Sequence, residues 1–125
     1  MTKILLVEDN LISQKMMFYT FRAAGARSDV ASDGFEAVSM AATGAYDVIL
    51  MDITMPGIDG YQATARIREA EAKGAKRAYI IGLTGNVYDS ERQKCLAAGM
   101  DDFMPKPFDI ESFKLILERN GMTLV

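Results

Sequence analysis

The sequence predicts an α/β protein built on a parallel sheet with helices on both faces. Short apolar runs alternate with helix-length amphipathic segments five times along the 125 residues. Strands that alternate with helices are joined by right-handed crossovers, which leaves the strands parallel. The run Val48-Ile49-Leu50-Met51 is apolar without alternation, as in a strand whose two sides both face helices. It ends on an acid, Asp52, and Met55-Pro56-Gly57 then turns the chain.

The elements follow in order. Lys3 to Val7 reads as the first strand, with Glu8-Asp9-Asn10 at its end. A helix is expected from Ile12 to Ala24, because Met17, Thr20, Phe21 and Ala24 share one face at the helical period. Gly25 supplies its stop, since glycine tolerates the left-handed conformation that ends helices. Ala26 to Ala31 is a more polar strand, expected at a sheet edge. Asp33-Gly34 opens a second helix that ends at Gly44, and Tyr46 to Met51 is the third strand. A third helix runs from Gly60 to Ala72, with Gly60, Ala63, Thr64 and Ile67 inward, and Lys73 to Arg77 is a charged loop. The segment Arg66 to Arg77 reads as a solvated helix face and loop rather than a nucleic-acid site.

Tyr79 to Leu83 is the fourth strand, followed by Thr84-Gly85-Asn86. The fourth helix spans Asp89 or Ser90 to Ala98, with Cys95 and Ala98 inward and Glu91 the one residue that does not suit that side. Asp101 to Met104 is a short fifth strand before Pro105-Lys106-Pro107-Phe108. Asp109 N-caps a last helix from Ile110 to Arg119, with Phe113, Ile116 and Leu117 inward; an aspartate in that position accepts a hydrogen bond from the first helical turn. We expect residues 1–125 to be a single domain, with no linker or low-complexity tract.

Composition narrows the function classes. Hydrophobic residues make up 50% and charged residues 25%, the profile of a water-soluble domain. A net charge of −3 argues against direct nucleic-acid binding, which favours basic surfaces. One cysteine, Cys95, cannot close an internal disulfide, and with nine methionines it suits a reducing, cytoplasmic setting. No apolar run approaches the roughly 18 residues of a membrane span. Histidine is absent, so site chemistry falls to carboxylates, lysine and hydroxyls.

Those groups sit at strand ends. Strand one ends in Glu8-Asp9, strand three in Asp52, strand four in Thr84, and strand five leads to Lys106. In a parallel sheet all strand C-termini share one rim, where ligands bind. At that rim Asp52 can face solvent. Carboxylates gathered there repel, and the usual remedies are a raised pKa or a hard divalent cation. Mg²⁺ suits such a set, because it uses few protein carboxylates and keeps several waters. It would let an anionic phosphodonor approach an anionic nucleophile. Thr84 and Lys106 could each reach a phosphoryl oxygen. Singly, each residue has an ordinary role open to it. Asp52 could shape the turn, Glu8-Asp9 could cap the first helix, Lys106 could be a surface lysine and Thr84 could bond backbone. Their convergence on one rim favours an aspartyl phosphate at Asp52.

Here the chain resembles the receiver domain of two-component response regulators, over essentially its whole length. The marks are Glu8-Asp9, Met51-Asp52 with Met55-Pro56-Gly57, Thr84 and Lys106-Pro107-Phe108. The resemblance implies a flavodoxin-like, doubly wound sheet of order 2-1-3-4-5. It implies Asp52 as phosphoacceptor, and Mg²⁺ held by Glu8, Asp9, Asp52 and the Thr54 carbonyl. Thr84 and Lys106 would read the phosphoryl group, with a cis Lys106-Pro107 bond. The donor would be a histidine kinase or a histidine phosphotransfer protein, and a downstream protein would dock on the fourth helix, fifth strand and last helix. Two positions depart from the commonest pattern: Phe103 lacks the hydroxyl of a frequent tyrosine, so it is either a packing switch or plain core, and Gly85 replaces a common alanine. Thr54 and Asn86 flank the acceptor and would tune attack by water.

The chain is therefore not expected to be a conventional enzyme; it would only phosphorylate and dephosphorylate itself. A haloacid dehalogenase-like hydrolase needs a second acid two residues after its nucleophile, where Thr54 stands. A flavin carrier of similar topology needs a phosphate-cradling loop where Glu8-Asp9-Asn10 would repel phosphate. Two alternatives remain open: a receiver cut from a hybrid histidine kinase or longer regulator, and a docking module that works without phosphorylation.

Overall fold

The computed structural model describes residues 2–85 and 89–125. Its elements are β1 (Lys3–Val7), α1 (Leu11–Ala23), β2 (Arg27–Ala31), α2 (Gly34–Ala42), β3 (Val48–Asp52), α3 (Gly60–Ala72), β4 (Tyr79–Thr84), α4 (Asp89–Ala98), β5 (Asp102–Pro105) and α5 (Ile110–Arg119). The strands form one sheet in the order β2-β1-β3-β4-β5, and every neighbouring pair is parallel. The expected α/β fold, its doubly wound order and the edge position of β2 are all present.

Strand alternation divides the core into two layers. Leu5, Val7, Ile49, Met51 and Ile80 pack against Ala37 of α2, Ala63 and Ile67 of α3 and Cys95 of α4. Their neighbours Ile4, Leu6, Val48, Leu50 and Ile81 pack against Met17 and Phe21 of α1 and Phe113, Ile116 and Leu117 of α5. Each large side chain so buried stabilises the fold by about 1.5–3 kcal/mol relative to exposure. Asp33, Asp59 and Asp109 cap α2, α3 and α5, and Gly25 adopts φ 81° where α1 stops. Among the described residues no helix is long and apolar enough to cross a membrane.

The structure differs locally from the sequence expectation at β3 and α1. Strand β3 starts at Val48 rather than Tyr46; ahead of it the Tyr46 hydroxyl donates to Asp29 at 2.6 Å, and the Asp47 carboxylate accepts from the Lys3 amide and the Lys76 ammonium. The strand also extends to Asp52, which pairs with Leu83. The first helix begins at Leu11, and its cap is Asn10, whose side chain accepts from the Ser13 amide at 3.0 Å. Glu8 and Asp9 therefore do not cap it.

The charged segment Arg66 to Arg77 is only partly solvated. Arg68 donates to the carbonyls of Gly99 and Ala78 at 2.9 and 2.8 Å. It also pairs with Glu71 and Asp101 at 2.6 and 2.7 Å. Asp101 further accepts from Arg77 and from the Ile80 amide. This network ties α3 to the starts of β4 and β5, at the end of the sheet opposite the acidic residues.

Candidate functional site

The C-terminal rim of the sheet gathers the residues expected there. Val7 and Met51 are register partners on adjacent strands, so Glu8-Asp9 and Asp52 emerge side by side. Thr84 ends β4 opposite Pro105. Its carbonyl accepts the Lys106 amide at 2.7 Å, which holds the lysine's backbone to the rim. Beyond it the Lys106-Pro107 bond is cis, and Phe108 packs with Phe21 and Phe113 at ring separations of 5.3 and 5.8 Å. The aromatic trio seats the loop that carries Lys106 against the α1–α5 layer.

Asp52 does not face solvent as expected; its side chain is 1% exposed. Lys106 covers it, with Nζ 2.8 Å from Oδ1, and the Thr54 amide donates to the same oxygen at 3.2 Å. The other oxygen, Oδ2, is buried and has no hydrogen-bond partner. A buried carboxylate oxygen without a donor is costly, and it is a lone-pair site aimed into the cleft. Glu8 is also buried while Asp9 is exposed, and one oxygen from each of Glu8, Asp9 and Asp52 lies within 4.8 Å of the others. Burial, with the Asp52 carboxylate beside it, pushes the Glu8 pKa up to about 7, although the Asn10 amide at 3.1 Å pulls the other way. The orphaned oxygen and the strained acid both fit a hard divalent cation, for which oxygen donors of this kind are the natural ligands.

The remaining expected residues are placed as follows. Thr54 is exposed and its backbone lies beside Asp52, Thr84 is buried, and Phe103 is half-buried against the layer formed with α2, α3 and α4. Asn86 lies outside the described residues. Two features had no clear signal in the sequence. Glu91, the misfit on the inner side of α4, receives a hydrogen bond from the Tyr61 hydroxyl of α3. Gln14, a polar residue one turn into α1, reaches back to the Glu8 carbonyl.

A doubly wound α/β sheet with an acid cluster and a lysine at its C-terminal rim defines a flavodoxin-like protein whose cleft could hold a metal ion. The chain belongs to the response regulator receiver domain family, whose profile matches residues 4–118. It is 44% identical over 114 residues to hybrid signal transduction histidine kinase B of Dictyostelium discoideum, a match covering 84% of this chain and 6% of that relative. The chain thus spans a small part of the length of that relative. The receiver domain of sensor histidine kinase PA1611 from Pseudomonas aeruginosa PAO1, solved with magnesium in its active-site cleft, superposes with a TM-score of 0.82 at 42% identity, covering 94% of this chain and 95% of that one. The receiver domain of Saccharomyces cerevisiae Ssk1, solved with the histidine phosphotransfer protein Ypd1, is in a match with a TM-score of 0.89 at 27% identity, covering 99% of this chain and 92% of the matched one.

Proposed function

We propose that Asp52 accepts a phosphoryl group from a phosphohistidine donor and that the modified chain signals by a shift between two conformations. The observation that carries this reading is the carboxylate of Asp52, with Oδ1 on Lys106 and Thr54 and Oδ2 without a partner. An Asp52 oxygen attacks phosphorus, the new O–P bond forms as the P–N bond to the donor imidazole breaks, and the electron pair leaves with the imidazole nitrogen. Glu8, Asp9, Asp52 and the Thr54 carbonyl would hold Mg²⁺, which neutralises charge on the transferring group. Lys106 moves its ammonium from Asp52 to a phosphoryl oxygen, and the Thr84 hydroxyl takes another. Turnover is limited to this self-modification and its hydrolysis, the latter tuned by Thr54 and Asn86.

The donor, a histidine kinase or histidine phosphotransfer protein, docks beside the cleft. Support comes from α1, where Leu11, Ile12 and Met16 are 62%, 70% and 66% exposed, next to a groove of about 470 Å³ whose lining includes Met16, Met17, Lys106 and Phe108. An exposed apolar patch at the mouth of a site marks a protein contact. The downstream protein docks on α4, β5 and α5, where Leu96 and Leu115 are exposed and Phe103 responds to the state of Thr84. The acidic balance supports a protein partner rather than nucleic acid, and the free buried thiol supports a cytoplasmic setting.

The test is intact mass after incubation with acetyl phosphate and Mg²⁺, beside an Asp52→Asn variant and a metal-free control. A gain of one phosphoryl group that needs both Mg²⁺ and Asp52 is the expected result. Labelling of Asp52→Asn would remove the acceptor assignment, and no labelling by acetyl phosphate or by a phosphorylated histidine phosphotransfer protein would favour a docking module instead.

A further inference from the structure

We propose that Gln14 is a positioning residue for the divalent cation. The inference rests on the cation reading above and extends it to a residue outside the acid cluster. From the first turn of α1 the Gln14 side-chain nitrogen donates to the Glu8 carbonyl at 2.6 Å and to the Ser32 hydroxyl at 3.1 Å. A carbonyl can only accept, so the amide nitrogen, and not its oxygen, must face Glu8.

The geometry gives this bond a specific consequence. The Glu8 carbonyl belongs to the peptide plane that joins Glu8 to Asp9, and a peptide unit turns as one rigid plate. Fixing its oxygen fixes the plate, and with it the direction in which Asp9 leaves the chain. Glu8 is held at two further points: its amide donates to the Ala31 carbonyl at 3.1 Å, and its carboxylate accepts from the Asn10 amide at 3.1 Å. Gln14 supplies a third restraint, and this one bears on Asp9. Its second proton goes to Ser32, whose amide faces Glu36 at 3.4 Å, so the brace spans from α1 to the β2–α2 turn. Glutamine suits the task because it carries two donors and no charge; an acid there would add repulsion to the cleft. Outer partners that orient cation ligands affect affinity although they never touch the ion.

The experiment uses the full chain with Gln14→Ala, Ser32→Ala and Asp9→Asn. Two quantities are read: the Mg²⁺ dissociation constant by calorimetry, and the thermal midpoint in chelator. Gln14→Ala is expected to weaken Mg²⁺ binding on the order of tenfold, while the metal-free midpoint falls by no more than a few degrees, because one carbonyl loses its donor and alanine suits a helix. Ser32→Ala, which leaves the bond to Glu8 in place, is expected to lose less. Parent-like Mg²⁺ affinity in Gln14→Ala overturns the inference, as does a metal-free midpoint lowered well beyond the few degrees that one lost hydrogen bond costs. A folded parent chain that binds no Mg²⁺ sinks the cation reading and this inference with it; parent binding abolished by Asp9→Asn but untouched by Gln14→Ala sinks this inference alone.

Discussion

Arg68→Ala should cost stability without touching the chemistry at Asp52. The guanidinium makes bonds to two carbonyls and two carboxylates, and its side chain is 18% exposed while those of Glu71 and Asp101 are 9% and 15%. Truncation leaves both carbonyls short of a donor at about 1 kcal/mol each, and weakens two charged bonds normally contributing about 1.5–3 kcal/mol each. Those last two are discounted, because Asp101 keeps Arg77 and the Ile80 amide, and Glu71 keeps the Ala78 amide. A net loss of about 3 kcal/mol results, or a midpoint lower by about 10 °C for a chain of this size. Arg68→Lys should fall between, since an ammonium keeps the charge but not the fork. Urea and thermal unfolding measure the loss, and acetyl phosphate labelling below the transition measures the chemistry. A midpoint within two or so degrees of the parent, or a fully folded variant that no longer takes label, would refute the reasoning.

Gly60→Ala should damage both properties together. An added Cβ would lie 2.5 Å from the Asp52 carbonyl oxygen and 2.8 Å from the Ile53 Cα; backbone cannot step aside as a side chain can, so a loss of about 2 kcal/mol and slower labelling are expected, seen by unfolding and mass spectrometry. In chelator, Glu8 should make stability fall with rising pH. Its folded pKa is raised from 4.5 to about 7, so the folded state holds the extra proton between those values and the contribution is lost across that window and flat above it, with about 3 kcal/mol as the upper bound. Glu8→Gln should flatten the profile measured by urea unfolding from pH 5 to pH 8, and an unchanged slope would count against the buried acid. Tyr61→Phe should lose about 1 kcal/mol by leaving Glu91 without its hydroxyl donor, and Tyr61→Phe with Glu91→Gln should lose less than the two changes summed, as a double-mutant cycle would show.

The fold was legible because hydrophobic period decides it. The apolar run Val48 to Met51 had no face to expose, and the structure buries all of it. The acid cluster was legible because parallel strands bring their ends together whatever their distance in sequence. What escaped depends on reach between side chains that no period encodes. Arg68 looked like a solvated charge because its partners lie far along the chain, at Gly99 and Asp101. Glu91 looked like a flaw in α4 until Tyr61 stood opposite it. The ion pair that Asp52 makes was missed for the same reason, since Lys106 lies far along the chain.

The neutral cap of α1 has a consequence for the whole cleft. Helix starts carry about half a positive charge from their aligned peptides, and most capping aspartates cancel it, as Asp33, Asp59 and Asp109 do elsewhere in this chain. Asn10 caps equally well but cancels nothing, and α1 has no acid in its first turn. The amide of Asn10 meets the Glu8 carboxylate directly. One full helix dipole is thereby left to the acidic rim as a fixed counter-charge, which neither dissociates like a metal nor swings away like a lysine.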